Sequence, residues 1–362
     1  MKKKARVIAL YLPQYHPIPE NDEWWGKGFT EWTNVGKAKK LFNGHYQPRV
    51  PADLGYYDLR VPETRKAQAD MARENGVEGF CYWHYWFGNG KRLIERPFNE
   101  VVSSGEPDFP FCLAWANETW KGFIHGISNR NILIEQMYPG VDDFTDHFYE
   151  VLPALKDKRY IKVEGKPLFM IYRPLGDKSI PVFMETWRKL ALKNGLKGIH
   201  FVGHCNNYQF NPIDILELGF DAVNTVRIDN YLANHRTLYT KIIGRLNKIF
   251  RKVPLAYPYS IMSKYFIDPL TDAKYNVYPS IIPGWDHSAR SGREGLVITH
   301  TTPLLFDNHL QDALAVIKEK PEEHKIIFIK SWNEWAEGNY MEPDLKWGSA
   351  FLKVLKKNIL IL

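Results

Sequence analysis

Cysteine is scarce, with three residues in 362: Cys81, Cys112 and Cys205. Each lies within or at the end of a short apolar run, where a reduced thiol behaves as a small buried hydrophobe. An odd number without metal-ligand spacing argues against a disulfide framework and against a zinc site. Long hydrophobic runs are missing too, so no segment reads as a membrane span. The basic start Met1-Lys2-Lys3-Lys4-Ala5-Arg6 has the look of a leader. The apolar stretch behind it, Val7 to Leu12, is too short for one and enters Pro13-Gln14-Tyr15-His16 directly. The expected compartment is the reducing cytoplasm. No charge sign dominates: Lys and Arg number 48 against 41 Asp and Glu, a balance of +7. These charges are scattered rather than gathered in one arm, so no nucleic-acid partner is implied.

Several chemical signatures are absent as well. There is no Walker loop, no Asp-x-Asp to hold a metal on a nucleotide diphosphate, and no Gly-x-Ser-x-Gly elbow. His200 and His204 have the spacing of a helical metal pair. On an extended strand they would stand roughly 13 Å apart, too far to share one ion. No cofactor and no metal is expected, and the chemistry falls to carboxylates, amides and aromatic rings. The rings are plentiful: aromatics make up 14% of the chain and tryptophan occurs 12 times. Tryptophan is hard to bury completely and is often kept where a surface grips a flat apolar face.

Short β-branched and aromatic runs alternate with amphipathic stretches. The expected strands are Val7–Leu12, Glu78–Trp83, Phe111–Ala116, Pro167–Tyr172, His200–Gly203, Ala222–Thr225, Pro279–Ile282 and Ile326–Ser331. Helical patterns fall at Glu63–Asn75, Asp142–Leu155, Ile180–Lys193, Ile213–Leu218 and Asn308–Glu319. This alternation implies parallel pairing through right-handed crossovers. A doubly wound sheet is the rival, but it usually has a glycine-rich turn after its first strand, where this chain has Leu12-Pro13-Gln14-Tyr15-His16-Pro17. The expected fold is an α/β (β/α)₈ TIM barrel with long βα loops, one catalytic domain over 1–362. Two insertions interrupt it, at about 17–58 and 229–273.

Loops after barrel strands build active sites, so strand ends come first. The eighth strand exits through Trp332-Asn333-Glu334-Trp335-Ala336-Glu337-Gly338. Two carboxylates three residues apart on a tight turn can share one cavity. Repulsion and desolvation then raise one pKa, giving a protonated acid beside an ionised base. Glycoside chemistry needs that pair. Solvated glutamates are the commoner fate of a Glu-x-x-Glu, but the flanking tryptophans, Asn333 and the position after strand eight weigh against it. The third strand's exit offers Trp115, Asn117 and Glu118, where the plainer role for Glu118 is an ion pair with a nearby Arg or Lys. The second exit offers Trp83, His84 and Tyr85, and His84 could instead satisfy a backbone carbonyl. Tyr11, Tyr15 and His16 lie at the first exit. Trp32 belongs to the acid- and indole-rich loop behind it, which resembles a lid. His204 ends the fifth strand and Trp285 the seventh, with Arg290 and Arg293 following.

The segments Ala9–Pro17, Gly28–Val35, Gly79–Phe87, Leu113–Glu118 and Trp332–Gly338 resemble WbsX-type proteins, which are often labelled glycosyltransferases of O-antigen or capsule synthesis. The resemblance covers nearly the whole chain. That family is in turn similar to glycoside hydrolase family 99, the endo-α-mannosidases, whose barrel carries a comparable Asn-Glu-x-x-Glu-Gly segment. The resemblance implies Glu334 as base and Glu337 as general acid. The base would deprotonate the substrate's own 2-hydroxyl, which attacks the anomeric carbon to give a 1,2-anhydro sugar and net retention. Substrate-assisted routes of this kind depart from the usual two-carboxylate scheme. Ala336 stands where the mannosidases tend to have histidine, so the sugar's identity is not carried over.

Within the second insertion, Lys241, Arg245, Lys248 and Lys252 form one face of a helix, and Leu238, Ile242, Leu246 and Ile249 another. Residues 238–252 could rest on an anionic membrane, which would suit a lipid-linked glycan, or dock on the barrel with a solvated basic side. The expected partner is an oligosaccharide or polysaccharide. Three readings compete: a retaining enzyme on an α-linked glycan, a nucleotide-sugar-dependent glycosyltransferase, and a non-catalytic glycan-binding barrel.

Overall fold

The computed structural model describes residues 3–122, 131–206, 211–235, 242, 245–246, 249–250 and 253–361. Eight parallel strands close into a ring: β1 Arg6–Tyr11, β2 Gly79–His84, β3 Phe111–Trp115, β4 Lys166–Ile171, β5 His200–Cys205, β6 Ala222–Thr225, β7 Val277–Ile281 and β8 Ile326–Ile329. Each pairs with its neighbours in chain order. Closure comes from β8 against β1 (Ile8 opposite Phe328) and from β3 against β4 (Leu113 opposite Phe169). The fold expected from the alternation is therefore present, with strand limits shifted by a residue or two.

The strands are buried on both faces, which is why they read as unbroken apolar runs rather than alternating ones. Helices cover the outside: α1 Pro62–Glu74, α2 Arg96–Ser104, α3 Val141–Lys156, α4 Ile180–Lys193, α5 Pro212–Glu217, α6 Pro269–Asp272, α7 Pro303–Ile317 and α8 Ala350–Ile359. The expected helix at Asn308–Glu319 starts a turn earlier, because the Thr302 side chain accepts the Leu305 N–H and Pro303 suits the first turn. Gly79 has a packing reason, since a Cβ there would stand 2.3 Å from the Pro110 carbonyl oxygen.

The first insertion contributes two short helices, Pro19–Trp25 and Glu31–Lys37, the latter opened by a Thr30–Thr33 capping box. From the second, Leu255–Pro258 pairs in parallel with Leu296–Thr299. A satellite core of Tyr259, Met262 and Phe266 packs there against Ile282 and Ile298. Of the basic segment, Lys241, Lys248 and Lys252 lie outside the described residues, as does Leu238. Among the described residues no helix is long and apolar enough to cross a membrane.

Candidate active site

The turn after β8 is fixed from below by a set of buried hydrogen bonds. The Asn333 amide brackets one residue of the first strand's exit: its Oδ1 accepts the Leu12 N–H at 2.8 Å and its Nδ2 donates to the Leu12 carbonyl at 3.0 Å. The Tyr15 hydroxyl donates to the Asn333 carbonyl and accepts the Trp335 N–H at 3.3 Å. Trp335 stacks on Tyr340 at 3.8 Å and donates its indole N–H to Glu342 at 2.6 Å. Glu342 also accepts from Tyr57 and Gln68. Residues Trp335–Glu337 form one 3₁₀ turn closed by Gly338 in the left-handed region, φ +58°. A Cβ there would lie 2.7 Å from that of Asp286.

This turn carries Glu334 and Glu337 into one cleft of about 580 Å³, open mouth included. Its wall is completed by Gln14, Trp83, Tyr85, Glu118, Trp120, Tyr172, Arg290 and Lys330. Arg290 comes from the short helix Ser288–Ser291 after β7 and holds the site together. Its Nη1 donates to Glu337 at 2.6 Å and its Nη2 to Glu334 at 3.1 Å, while Glu31 takes a further contact at 3.1 Å. Lys330 Nζ stands 3.9 Å from Glu337 and lies over the Trp285 ring. Burial pushes the Glu334 carboxyl up to about 7, the negative charge of Glu337 adds to the rise, and Arg290 and Lys330 oppose it. His287, 3.8 Å from Glu337, is lowered chiefly by burial. A carboxyl that titrates near neutrality beside a second carboxylate can exchange protons with a ligand at ordinary pH.

Residues 7–355 match the family described as glycosyltransferase WbsX. The chain belongs to the WbsX family. Two curated relatives, each described as uncharacterized protein WxcX, come from Xanthomonas campestris pv. campestris strains B100 and ATCC 33913. Both are 36% identical over 98% of this chain. The chain spans about half the length of these relatives, 49% of each. Among solved structures, a glycoside hydrolase-like protein superposes with a TM-score of 0.62 at 14% identity, over 100% of this chain and 95% of that one. The GH99 endo-α-mannosidase of Bacteroides thetaiotaomicron does so at 0.55 and 15% identity, over 99% and 96%. At such identities the likeness is one of fold.

The WbsX segments divide sharply once placed in the barrel. Trp83, Tyr85 and Glu118 line the cleft, Glu118 paired with Arg173 at 2.8 Å, and Trp285 borders it through Lys330. The other expected binding residues do not line it. His84 points outward to His147, Nε2 to Nε2 at 2.7 Å, and Trp115 packs outward on Phe183. Strand alternation explains both, because Trp83 and Tyr85 take the inner face and leave His84 the outer one. Asn117 is consumed in bracketing Arg173, accepting its N–H at 2.7 Å and donating to its carbonyl at 3.0 Å. Tyr11 turns into the core and donates to Gln68, and His16 contacts the Pro13 carbonyl. Tyr15, Trp32, Asn333 and Trp335 form the scaffold beneath the turn, Trp32 packing on Tyr15 and Trp335. His204 is wholly buried, its Nδ1 on Asn224, and burial holds it down to about 3.

The cleft residues left uncommitted by sequence reasoning are Gln14, Trp120, Tyr172, Lys330, Arg290 and the nearby Glu31. Lys330 and Tyr172 carried a signal, each following directly on an apolar barrel strand. Arg290 carried none beyond lying after β7, since only the folded loop aims it at Glu334.

Proposed function

We propose that this chain is a carbohydrate-active enzyme that cleaves or transfers an α-linked glycan with retention, using Glu334 as base and Glu337 as general acid. The observation that carries the reading is one guanidinium gripping both carboxylates at the wall of an open, aromatic-lined cleft. Glu334 takes the proton of the substrate's 2-hydroxyl, whose oxygen then attacks the anomeric carbon. Glu337 gives a proton to the departing glycosidic oxygen. Water or an acceptor hydroxyl opens the resulting 1,2-anhydro sugar as the two protons return. A base that titrates near the working pH is the efficient choice for a weakly acidic hydroxyl.

Burial and the charge of Glu337 raise the Glu334 carboxyl, so in the free protein the pair can hold a proton near neutrality. Bound glycan must therefore draw it to Glu337 and loosen the contact that Arg290 makes there. Trp83, Tyr85, Trp120 and Tyr172 supply flat faces for the sugar rings. Incubation with defined α-linked oligosaccharides, with the product anomer followed by NMR, tests the reading. An inverted product, or turnover unaffected by Glu334→Gln, would sink the mechanism. Calorimetric titration with nucleotide sugars tests the transferase alternative, which saturable binding would favour.

The substrate is read as part of a polysaccharide, with lipid-linked intermediates included. In the second insertion the described Ile242, Leu246, Ile249 and Phe250 are all exposed beside exposed Arg245, which supports contact with an anionic bilayer. Flotation with anionic liposomes should carry the protein and neutral liposomes should not; equal behaviour would remove the membrane contact.

A further inference from the structure

A second cleft lies behind the catalytic wall. Asp286 and Gly338 line it, while their neighbours in space, Arg290 and Glu337, face the active cleft. The Asp286 N–H donates to the Glu337 carbonyl at 2.5 Å, so two adjoining strips of backbone separate the hollows. Its space is about 770 Å³ with the open mouth.

Its lining is built rather than casual. Thr301 keeps a buried hydroxyl that has no hydrogen-bond partner among the described residues. A buried hydroxyl left unpaired opposes folding, and a methyl group of the same shape would not. Next to it His300, which also lines the cleft, adopts φ +55°, a region a non-glycine residue seldom takes and one that recurs at ligand-binding positions. Across the mouth, the ammonium of the long Lys346 side chain lies over the Tyr46 and Trp347 rings, 4.5 and 5.1 Å from their centroids.

The lining carboxyls are already held. Arg49 lies 3.7 Å from Asp286, which His45 and Gln47 also hold, at 2.9 and 2.8 Å. Asp344 accepts from Tyr46, Tyr340 and the Trp347 N–H. A phosphate or an organic acid would meet three carboxyls here, Asp286, Glu342 and Asp344, against two cations, Arg49 and Lys346. What remains is two buried donors without a partner among the described residues, the Thr301 hydroxyl and the Arg49 Nε–H, beside the Tyr46 and Trp347 rings, which suits a molecule with several O–H groups and an apolar face. We infer that the cleft behind the catalytic wall is a second saccharide site, taking an uncharged sugar unit through Thr301, Tyr46 and Trp347. Given the proposed function, the ligand is another unit of a glycan or a further glycan chain.

Fluorine NMR of the full chain labelled with 5-fluorotryptophan separates the two clefts. Trp347→Phe assigns one resonance, and Trp83→Phe and Trp120→Phe assign the active cleft. Maltotriose and α-mannotriose serve as neutral probes, with sodium pyrophosphate and glucuronic acid as charged ones. The Trp347 resonance should titrate saturably with a neutral probe, and do so equally in the Glu334→Gln/Glu337→Gln double variant. Thr301→Val should weaken that titration about tenfold, the share of one hydrogen bond, without lowering the melting temperature. A Trp347 resonance that stays fixed with both neutral probes, or that moves only with a charged one, overturns the inference. So does a Thr301→Val variant that binds as well as the parent. Movement of Trp347 with Trp83 and Trp120 unmoved would leave this site standing and count against the active cleft alone.

Discussion

Two buried carboxyls eight residues apart are both raised by burial, and only one of them faces the active cleft. Glu334 and Glu342 are 5% and 3% exposed, and burial pushes each up to about 7. Glu342 is surrounded by neutral donors, Trp335, Tyr57 and Gln68, at 2.6 to 2.9 Å, and it borders the second cleft rather than the active one. Glu334 is balanced between charges: Glu337 raises it, Arg290 and Lys330 lower it, and it opens onto the cleft. A perturbed pKa is thus no label of a catalytic group by itself. Access and the sign of the neighbours distinguish a proton carrier from a strut.

The largest effect that sharpens this contrast is loss of turnover without loss of fold. Glu334→Gln and Glu337→Gln should each reduce kcat by a factor on the order of 10² or more, the share of acid/base assistance. The Glu334→Gln melting temperature should hold or rise, because a neutral amide replaces a buried acid in a charged site. Near-normal kcat in either variant would take that residue out of the chemistry. Glu342→Ala should do the reverse. Three donors lose their acceptor, for a stability loss of about 3 kcal/mol in urea unfolding. An unchanged unfolding midpoint would show that the turn does not lean on Glu342.

The next effect concerns pH. A carboxyl whose folded pKa is raised binds more protons folded than unfolded, so stability falls as pH rises from the unfolded value near 4.5 to the folded value of about 7. For Glu342 that decline is on the order of 3 kcal/mol. Glu342→Gln cannot titrate and should make the decline between pH 4.5 and about 7 shallower, with Glu334 keeping its own share. Parallel profiles for parent and variant would contradict the assignment.

The same contrast explains what could be read from the chain beforehand. The eight strands were legible because strands buried on both faces leave unbroken apolar runs, as in Phe80–Trp83 and Ile326–Ile329. The Glu334–Glu337 turn was legible because polar residues crowd directly behind such a run. The separation of binding residues from struts was only half legible. Alternation along β2 sends His84 outward, a reading its sequence permitted, whereas nothing local distinguishes Asn333 as a bracket for Leu12 from Asn333 as a sugar ligand. Both are amides at a strand end, and only the distant partner decides. Arg290 was the hardest, since its contacts with Glu31, Glu334 and Glu337 cross 259, 44 and 47 residues of chain. No periodicity encodes a meeting of that kind.

Arg290 also gives the smallest effect and the most discriminating one. As a positioning residue it lowers the Glu334 carboxyl against the pull of burial, so its removal should raise that carboxyl further. In the proposed mechanism Glu334 must be ionised to act as base, so the acid limb of the kcat/KM profile follows its pKa. In Arg290→Gln that limb should move to higher pH, with activity about tenfold lower at neutrality and recovering in alkali. Arg290→Lys keeps the charge but not the fork, so it should restore the limb's position while leaving a lower plateau. A purely structural arginine would depress activity equally at every pH and leave the limb where it was. That outcome would assign the guanidinium to the scaffold, beside Glu342 rather than Glu334.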